Sequence, residues 1–491
     1  MVCLALLTLY LPHMAYAARP SVQNAPGLKG GAPLNILLIL ADDLGWSDLS
    51  CYGADLHETP NLDRFAGSSV RFTHAYAPSP VCSPTRASIL TGKAPARLQM
   101  TIWSEGSLGG PKDQKLLQAH SLHDLPHSEI TLAERLQAAG YLTAHVGKWH
   151  LGDADHGPET QGFEVGIGGT RWGAPQTYFY PYRGWTRTGG EFRYIPGLGF
   201  GKPGEYLTDR LTDEALRVID QASATKRPFF LYLAHHAPHT PIEAKPADVA
   251  HFKTKVVPGL RQRNPTYAAM VKSLDDSVGR VLQRLKARGL DRNTVVAFTS
   301  DNGGYLGSYA VEGQSLAVAT NAPLRSGKGT CYEGGLRVPA MIRWPGVSKA
   351  GSTCATPILL TDLFPTLLEA AGLAPSTDVP ADGLSLAPVL ADPTRVLPRS
   401  TLYFHYPHYY HAPPSTPVSA VRSGDWKLIE FLEDHRVELY DLARDPGEQR
   451  DLASLEPATS GRLLKQLQAW RDSVGAAMPT PNPAYKAPVA R

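Results

Sequence analysis

The chain is poor in cysteine. Five in 491 residues are too few for a disulfide-framework protein. Cys3 lies in the first apolar segment, and Cys51, Cys82, Cys331 and Cys354 are too scattered for a zinc knuckle. Charge is also sparse, at 19% of residues, which excludes a disordered or supercharged protein. Neither sign dominates: 48 basic against 45 acidic residues leave +3, too even for a chain held to nucleic acid by its charge. Beyond the first segment no stretch approaches the about 20 apolar residues that span a bilayer, so no stable membrane anchor is expected. What is present is apolar and loop-rich. Hydrophobic residues make up 43%, enough for a large core, and 45 Gly with 42 Pro give many connections. At roughly 150 residues per domain the length allows three units, or one large α/β domain with a small one.

Residues 2–17 (VCLALLTLYLPHMAYA) are apolar and uncharged and end in the small-x-small pattern Ala15-Tyr16-Ala17. They read as a cleavable secretory signal peptide, 1–17, or as a buried N-terminal helix. The first reading predicts a secreted or periplasmic protein. Residues 18–33 read as a linker. The continuous apolar run Leu34–Ala41 then reads as a strand inside a parallel sheet covered on both faces. Thr131-Leu-Ala-Glu134 is a capping box, with Gly140 as the stop of its helix. An amphipathic pattern over 265–288 feeds the buried strand Thr294–Ser300, and Tyr141–Gly147 and Pro228–Ala234 are further strands. The alternation predicts a doubly wound α/β domain over 34–375. Residues 376–400 read as a connection. Over 401–478 the texture becomes that of a small α+β subdomain: an antiparallel hairpin, Trp426–Leu432 with Arg436–Leu442, and a helix near 459–475. The tail 479–491 is Pro/Ala-rich and is expected to be flexible.

Two of the buried strands run into oxygen ligands. Leu34–Ala41 ends in Asp42-Asp43, and Thr294–Ser300 ends in Asp301-Asn302. Sites in open α/β sheets lie outside the carboxyl ends of the strands. Carboxylates gathered there repel one another unless a cation lies between them, and hard oxygen donors favour Ca²⁺ or Mg²⁺ over zinc. The competing reading makes each pair a helix N-cap. A third feature is Cys82-Ser83-Pro84-Thr85-Arg86. Pro84 suits a first helical turn, which puts Cys82 at a helix N-terminus and Arg86 on the same face.

CSPTRASILTG (82–92) resembles the signature of the type I sulfatases, in which this cysteine becomes formylglycine (3-oxoalanine). The resemblance spans nearly the whole chain after the first segment. It is carried in order by NILLILADDLGWSDLSCYG (35–53), TPNLDRFA (59–66), GYLTAHVGKWHLG (140–152), PFFLYLAHHAPHTP (228–241), FTSDNGG (298–304), NAPLRSGKGTCYEGGLRVPAMIRWPG (321–346) and DWKLIEF…VELYDLARDPGE (425–448). It implies an alkaline-phosphatase-like α/β/α sandwich with a large mixed sheet, and a small C-terminal subdomain built on an antiparallel sheet. It implies that Asp42, Asp43, Asp301 and Asn302 hold Ca²⁺ or Mg²⁺, with the modified Cys82 as a further ligand. Arg86 and Lys148 would hold the formylglycine and its charge. His150 resembles the base that releases sulfate from the modified residue, and His239 and Lys328 the groups that bind sulfate and assist the leaving oxygen. Thr170 stands where some relatives place a sulfate-contacting serine. A formylglycine-generating maturation enzyme is then a required partner.

With a divalent ion, three aspartates and the cations Arg86, Lys148 and Lys328, such a site carries a net +2 and favours an anionic ester. His405–His411 (HYPHYYH) reads as an aromatic subsite or as interdomain packing. His235 and His236 read as packing beside the site, and Cys331 with Cys354 as a possible disulfide. Together these readings predict a sulfatase acting on sulfated galactose or N-acetylgalactosamine units, with aryl sulfates as surrogates. The alternatives are an arylsulfatase proper, a phosphomonoester or phosphonate hydrolase on the same fold, and a non-enzymatic binder of sulfated glycans.

Overall fold

The computed structural model describes residues 33–107, 114–186, 189–311, 314–374 and 382–486. The expected signal peptide and nearly all of the linker lie outside them, as do parts of the connection and of the tail.

Nine strands form the main sheet. The central order runs Ser352–Cys354, Val70–Tyr76, Arg337–Arg343, Thr294–Ser300, Asn35–Ala41, Phe229–Ala234, Leu142–Gly147 and Val165–Ile167, with Ile358–Leu359 pairing beside Val70–Tyr76. Only Arg337–Arg343 runs antiparallel to its neighbours. The sheet is therefore mixed, as expected. Asn35–Ala41 is buried at every position, and its side chains divide by alternation. Leu37, Ile39 and Ala41 enter one core with the helices Leu207–Thr225 and Pro265–Ala287. Ile36, Leu38 and Leu40 enter the other with Cys82–Thr91, Leu132–Ala138 and Leu363–Ala370. Two buried faces account for the unbroken apolar run. The capping box forms as read: Thr131 Oγ1 accepts from Glu134 N at 3.1 Å, and Glu134 Oε2 accepts from Thr131 N at 2.8 Å.

A four-stranded antiparallel sheet follows, ordered Thr401–Tyr406, Val418–Ser423, Trp426–Phe431 and Val437–Asp441. The helix Pro457–Val474 packs on it through Leu463 and Leu467. The start of the predicted flexible tail is tied down, because Thr480–Pro481 pair with Leu116–Leu117. Proline cannot donate to a ladder, but an edge pair this short tolerates it. Cys51, Cys82, Cys331 and Cys354 are all free thiols, and Cys331 and Cys354 lie in different cores. No helix among the described residues is long and apolar enough to cross a membrane.

A buried charge network joins the two sheets. Lys427 Nζ lies 2.9 Å from Glu333 Oε1 and 2.9 Å from Glu448 Oε1. Glu333 also accepts from Tyr76 Oη at 2.7 Å, and Glu448 Oε2 accepts Glu333 N at 2.7 Å. Removing one partner of a buried pair typically costs about 3–5 kcal/mol, because the other is left uncompensated. Lys427→Met is therefore expected to destabilise the chain by about that amount at neutral pH in urea unfolding. Burial already pushes the Glu448 carboxyl up, with Lys427 opposing it. Without the ammonium the glutamates take up protons more readily, so the deficit should shrink as pH falls towards 5. A deficit that does not change with pH would contradict this account.

Candidate active site

The site grows out of the register of two parallel strands. Ala41 pairs with Ser300, so the next residues, Asp42 and Asp301, leave the sheet side by side. Asp43 follows with φ +61°, a left-handed conformation that costs energy in a non-glycine residue and occurs mainly where surroundings enforce it. Asp43 N donates to Asp301 Oδ1 at 3.2 Å, and Asn302 Nδ2 to Asp43 Oδ1 at 2.7 Å. All four residues are buried.

Cys82 opens the helix Cys82–Thr91, whose ten residues are all buried. Its Sγ lies 3.6 Å from Asp42 Oδ1. Burial pushes the thiol up to about 12. An unmodified cysteine here is a thiol at neutral pH and a weak nucleophile. One turn later Arg86 reaches back to the strand ends. Its Nε and Nη2 donate to Asp301 Oδ2 at 2.9 and 2.7 Å, and Nη1 donates to Lys148 O at 3.0 Å. Lys148 follows Gly147, where any Cβ would lie 1.9 Å from Ala234 O. Only glycine allows that approach, and it delivers Lys148 Nζ to Asp42 Oδ2 at 2.7 Å. Lys328 Nζ lies 2.7 Å from Asp43 Oδ1 and 3.3 Å from Cys82 Sγ. Its loop is fixed by Lys328 N on Gly304 O and Gly329 N on Pro80 O. Ser415 Oγ, from the C-terminal subdomain, also donates to Gly329 O.

Each aspartate thus has its own cation: Asp301 with Arg86, Asp42 with Lys148, Asp43 with Lys328. Burial alone would raise all three carboxyls. For Asp301 the Arg86 guanidinium outweighs it, and for Asp43 the Lys328 ammonium does, so both are held below the usual range. For Asp42 burial prevails over Lys148 and raises it.

Asp42, Asp43, Cys82 and His239 each bring one ligand atom within 4.8 Å of the others. Donors on opposite sides of a Ca²⁺ ion, each about 2.4 Å away, are separated by that distance. Asn302 Oδ1 is buried without a partner, as an oxygen awaiting a cation would be. The oxygen donors Asp42, Asp43 and Asn302 fit a hard divalent ion, and at position 82 a formylglycine oxygen would replace the softer thiol. Asp301, expected among the ligands, gives Oδ2 to Arg86, while His239, expected to bind sulfate and assist the leaving oxygen, stands in the cluster with Nε2 3.5 Å from Asp43 Oδ2. Its Nδ1 lies 2.8 Å from Thr240 O and must carry the proton there, so the neutral ring turns a lone pair towards Asp43. Burial pushes His239 down to about 3, against the pull of Asp43.

Above the aspartates lies a cavity of about 290 Å³ walled by Cys82, Trp103, His150, His239, Lys328 and Tyr410 among others. His150 has φ +60°. Its N–H donates to Thr170 O at 2.9 Å, and its carbonyl accepts Ser83 Oγ at 2.7 Å. Thr170 therefore enters the site through its main chain, and Gly173 and Ala174 form the wall at this loop. Burial, then Lys148, pushes His150 down to about 4, so its ring is neutral at pH 7. Of the HYPHYYH residues, Tyr410 and His411 reach the cavity. His405 is held by Ser419 and Ala477 O, and His408 by Thr101 and Gln118, as packing groups. His235 bonds Ser277 at 2.9 Å, and His236 is buried with neither ring nitrogen paired. Sequence reasoning missed Glu105, Arg193, Trp103 and Tyr305, which also line the cavity. Glu105 sits in the four-residue helix Ser104–Ser107 and Arg193 in a two-residue strand, too short to leave a pattern.

The comparisons with known proteins agree with this geometry. The sulfatase family model matches residues 34–373, and one described as N-sulphoglucosamine sulphohydrolase, C-terminal, matches 327–471. N-acetylgalactosamine-6-sulfatase of Homo sapiens is 34% identical over 494 residues, spanning 92% of this chain and 88% of that protein. Arylsulfatase A of Homo sapiens is 35% identical over 495 residues, spanning 92% and 90%. The crystal structure of Ps i-CgsB in complex with k-i-k-neocarrahexaose superimposes with a TM-score of 0.74 at 29% identity, covering 90% of this chain and 93% of that one. With the strand-end aspartates, the helix-opening Cys82 and these matches over most of its length, the chain belongs to the sulfatase family of sulfuric ester hydrolases.

Proposed function

We propose that the protein hydrolyses sulfate monoesters of a carbohydrate, with Cys82 matured to formylglycine and a divalent cation, Ca²⁺ or Mg²⁺, held at Asp42, Asp43, Asn302 and residue 82, with Asp301 or His239 completing the set. The observation that carries this reading is the single buried cluster in which Cys82 Sγ, Asp42, Asp43 and Lys328 meet at the floor of a cavity. When present, the cation supplies positive charge for the ester oxygens and for the attacking group. The aldehyde hydrate of a matured residue 82 offers a hydroxyl nucleophile that a thiol of pKa about 12 does not.

The chain's own residues do the rest. Arg86 keeps Asp301 anionic inside the fold, and Lys148 opposes the burial that raises Asp42. His150, neutral and with Nδ1 unpartnered, accepts a proton. Lys328 faces the departing oxygen as a charged hydrogen-bond donor: burial would lower its pKa, but Asp43 beside it raises it well above its ordinary value and keeps it an ammonium. His239, with its lone pair inward, is a ligand or acceptor and not a proton donor. A sugar substrate is supported by the aromatic walls Trp103 and Tyr410, which suit the C–H faces of a pyranose. A second cavity of about 1000 Å³ shares Trp103, Glu105, Tyr410 and His411 with the first and gives room for further sugar units. The names of the N-acetylgalactosamine-6-sulfatase relatives and the neocarrahexaose complex support the same class, and arylsulfatase A supports turnover of aryl sulfates as surrogates. Export to the periplasm or medium is supported by the apolar segment 2–17 alone.

The first test is peptide mass spectrometry across Cys82 after co-expression with a formylglycine-generating enzyme. The aldehyde should replace the thiol, and sulfated galactose and N-acetylgalactosamine units should be turned over in preference to matched phosphate esters, with Cys82→Ala abolishing turnover. Unmodified cysteine beside a correctly matured control sulfatase, or a preference for phosphate, would overturn the reading. Chelation should remove activity, and Ca²⁺ or Mg²⁺ should restore it; full activity after verified metal loss would exclude the cation site. The pH profile tests His150. Its folded-state pKa lies below that of a free imidazole, so the base form persists down to about 4. The acid limb of kcat should lie near 4 and not near 6.5, and His150→Ala should lower kcat roughly 10²–10⁴-fold.

A further inference from the structure

The imidazole of His150 is more tightly specified than a proton acceptor alone requires. Its backbone is clamped on both sides, by Thr170 O and Ser83 Oγ. Its ring packs against Gly173, where a Cβ would fall 2.5 Å from Cε1. That leaves the two ring nitrogens, and their surroundings differ. Nε2 lies 3.4 Å from Glu105 Oε2, while Nδ1 is buried without any partner. A carboxylate only accepts, so the proton of the neutral ring resides on Nε2 and the lone pair on Nδ1. Glu105 is in turn held from its other oxygen, with Oε1 3.5 Å from Arg193 Nη2, and Arg193 is fixed by Glu191 at 2.9 Å.

Resting on the reading of His150 as the base, we propose that Glu105 is a positioning residue. It fixes the tautomer that leaves the lone pair on Nδ1, and it stabilises the imidazolium once Nδ1 has taken a proton. The step would balance as follows: one proton moves from the free hydroxyl of the matured, sulfated residue 82 to Nδ1, and the O–H electron pair closes the aldehyde C=O as the C–O bond to sulfate breaks and sulfate departs. The Nε2 proton stays on the ring, and no electrons are exchanged with Glu105. The alternative is that Glu105 merely pairs with Arg193 at the rim. That contact uses only Oε1 and leaves the bond from Oε2 to His150 without a purpose.

A double-mutant cycle on the matured enzyme separates the two, with 4-nitrophenyl sulfate as the probe. Loss of a carboxylate that orients a functional histidine typically costs about 10–100-fold. Glu105→Ala should lower kcat by that factor and leave KM and the thermal midpoint near wild type. Glu105→Gln, whose carbonyl still accepts the Nε2 proton, should recover most of the loss. In a His150→Ala background Glu105→Ala should have no further effect, since a residue acting through another adds nothing once that residue is gone. Equal losses in both backgrounds, with His150→Ala itself impaired, would remove the role given to Glu105 and leave the base assignment standing. A His150→Ala enzyme at full rate would remove the base assignment, and this proposal with it.

Discussion

The site depends on how three buried carboxyl groups are each given a cation. Asp42, Asp43 and Asp301 leave adjacent parallel strands within one turn of chain and are at most 2% exposed. Desolvating an ion costs several kcal/mol even after relaxation, and three like charges add repulsion. The chain answers with three cations, each brought by a different element to a different carboxylate. Arg86 comes from the Cys82–Thr91 helix, Lys148 from the end of Leu142–Gly147 and Lys328 from the loop before Arg337–Arg343. The helix, the glycine at 147 and the loop over Gly303 are thus constrained by the same requirement. At Gly303 a Cβ would lie 1.8 Å from Gly334 O, so the loop carrying Lys328 can close only over glycine.

The C-terminal subdomain serves this arrangement. The Lys427–Glu333–Glu448 network fixes the segment just after the Lys328 loop, and Ser415 holds Gly329 directly. The same subdomain supplies Tyr410 and His411 to the cavity wall. Charge is therefore fixed by the large domain, while shape and aromatic surface come partly from the small one.

Legibility in the sequence followed periodicity and residue type. A strand buried on both faces is written as an unbroken apolar run, so Asn35–Ala41 and Thr294–Ser300 could be placed within a residue, and their terminal acids with them. Cys82 and Arg86 share a helix face at a spacing the sequence states outright. Pairing was not legible. Sequence marked Asp301 as a metal ligand and His239 as a sulfate group, but only three-dimensional proximity shows Arg86 claiming one oxygen of Asp301 and His239 facing Asp43. Thr170 was placed by alignment of a loop, where one residue's shift exchanges a side chain for a carbonyl. Glu105 and Arg193 reach the cavity from elements of four and two residues, which carry no period to read. The Pro-rich tail looked unstructured because composition does not reveal a two-residue edge pair such as Thr480–Pro481.

The pairing also changes how attraction for an anionic ester arises. The three aspartates and three cations cancel, and the buried imidazoles of His150 and His239 are pushed well below neutrality. With all three carboxyls ionised the protein groups of the cluster sum to zero, and the +2 expected of the complete site would belong wholly to a bound divalent ion. A neutral, dry cradle around one concentrated charge discriminates by geometry, because an ester oxygen gains the full attraction only where the ion sits. Diffuse lysines would instead draw in any polyanion. The Lys328 ammonium, 3.3 Å from Cys82 Sγ and bound to Asp43, fits this arrangement, because its charge is already balanced.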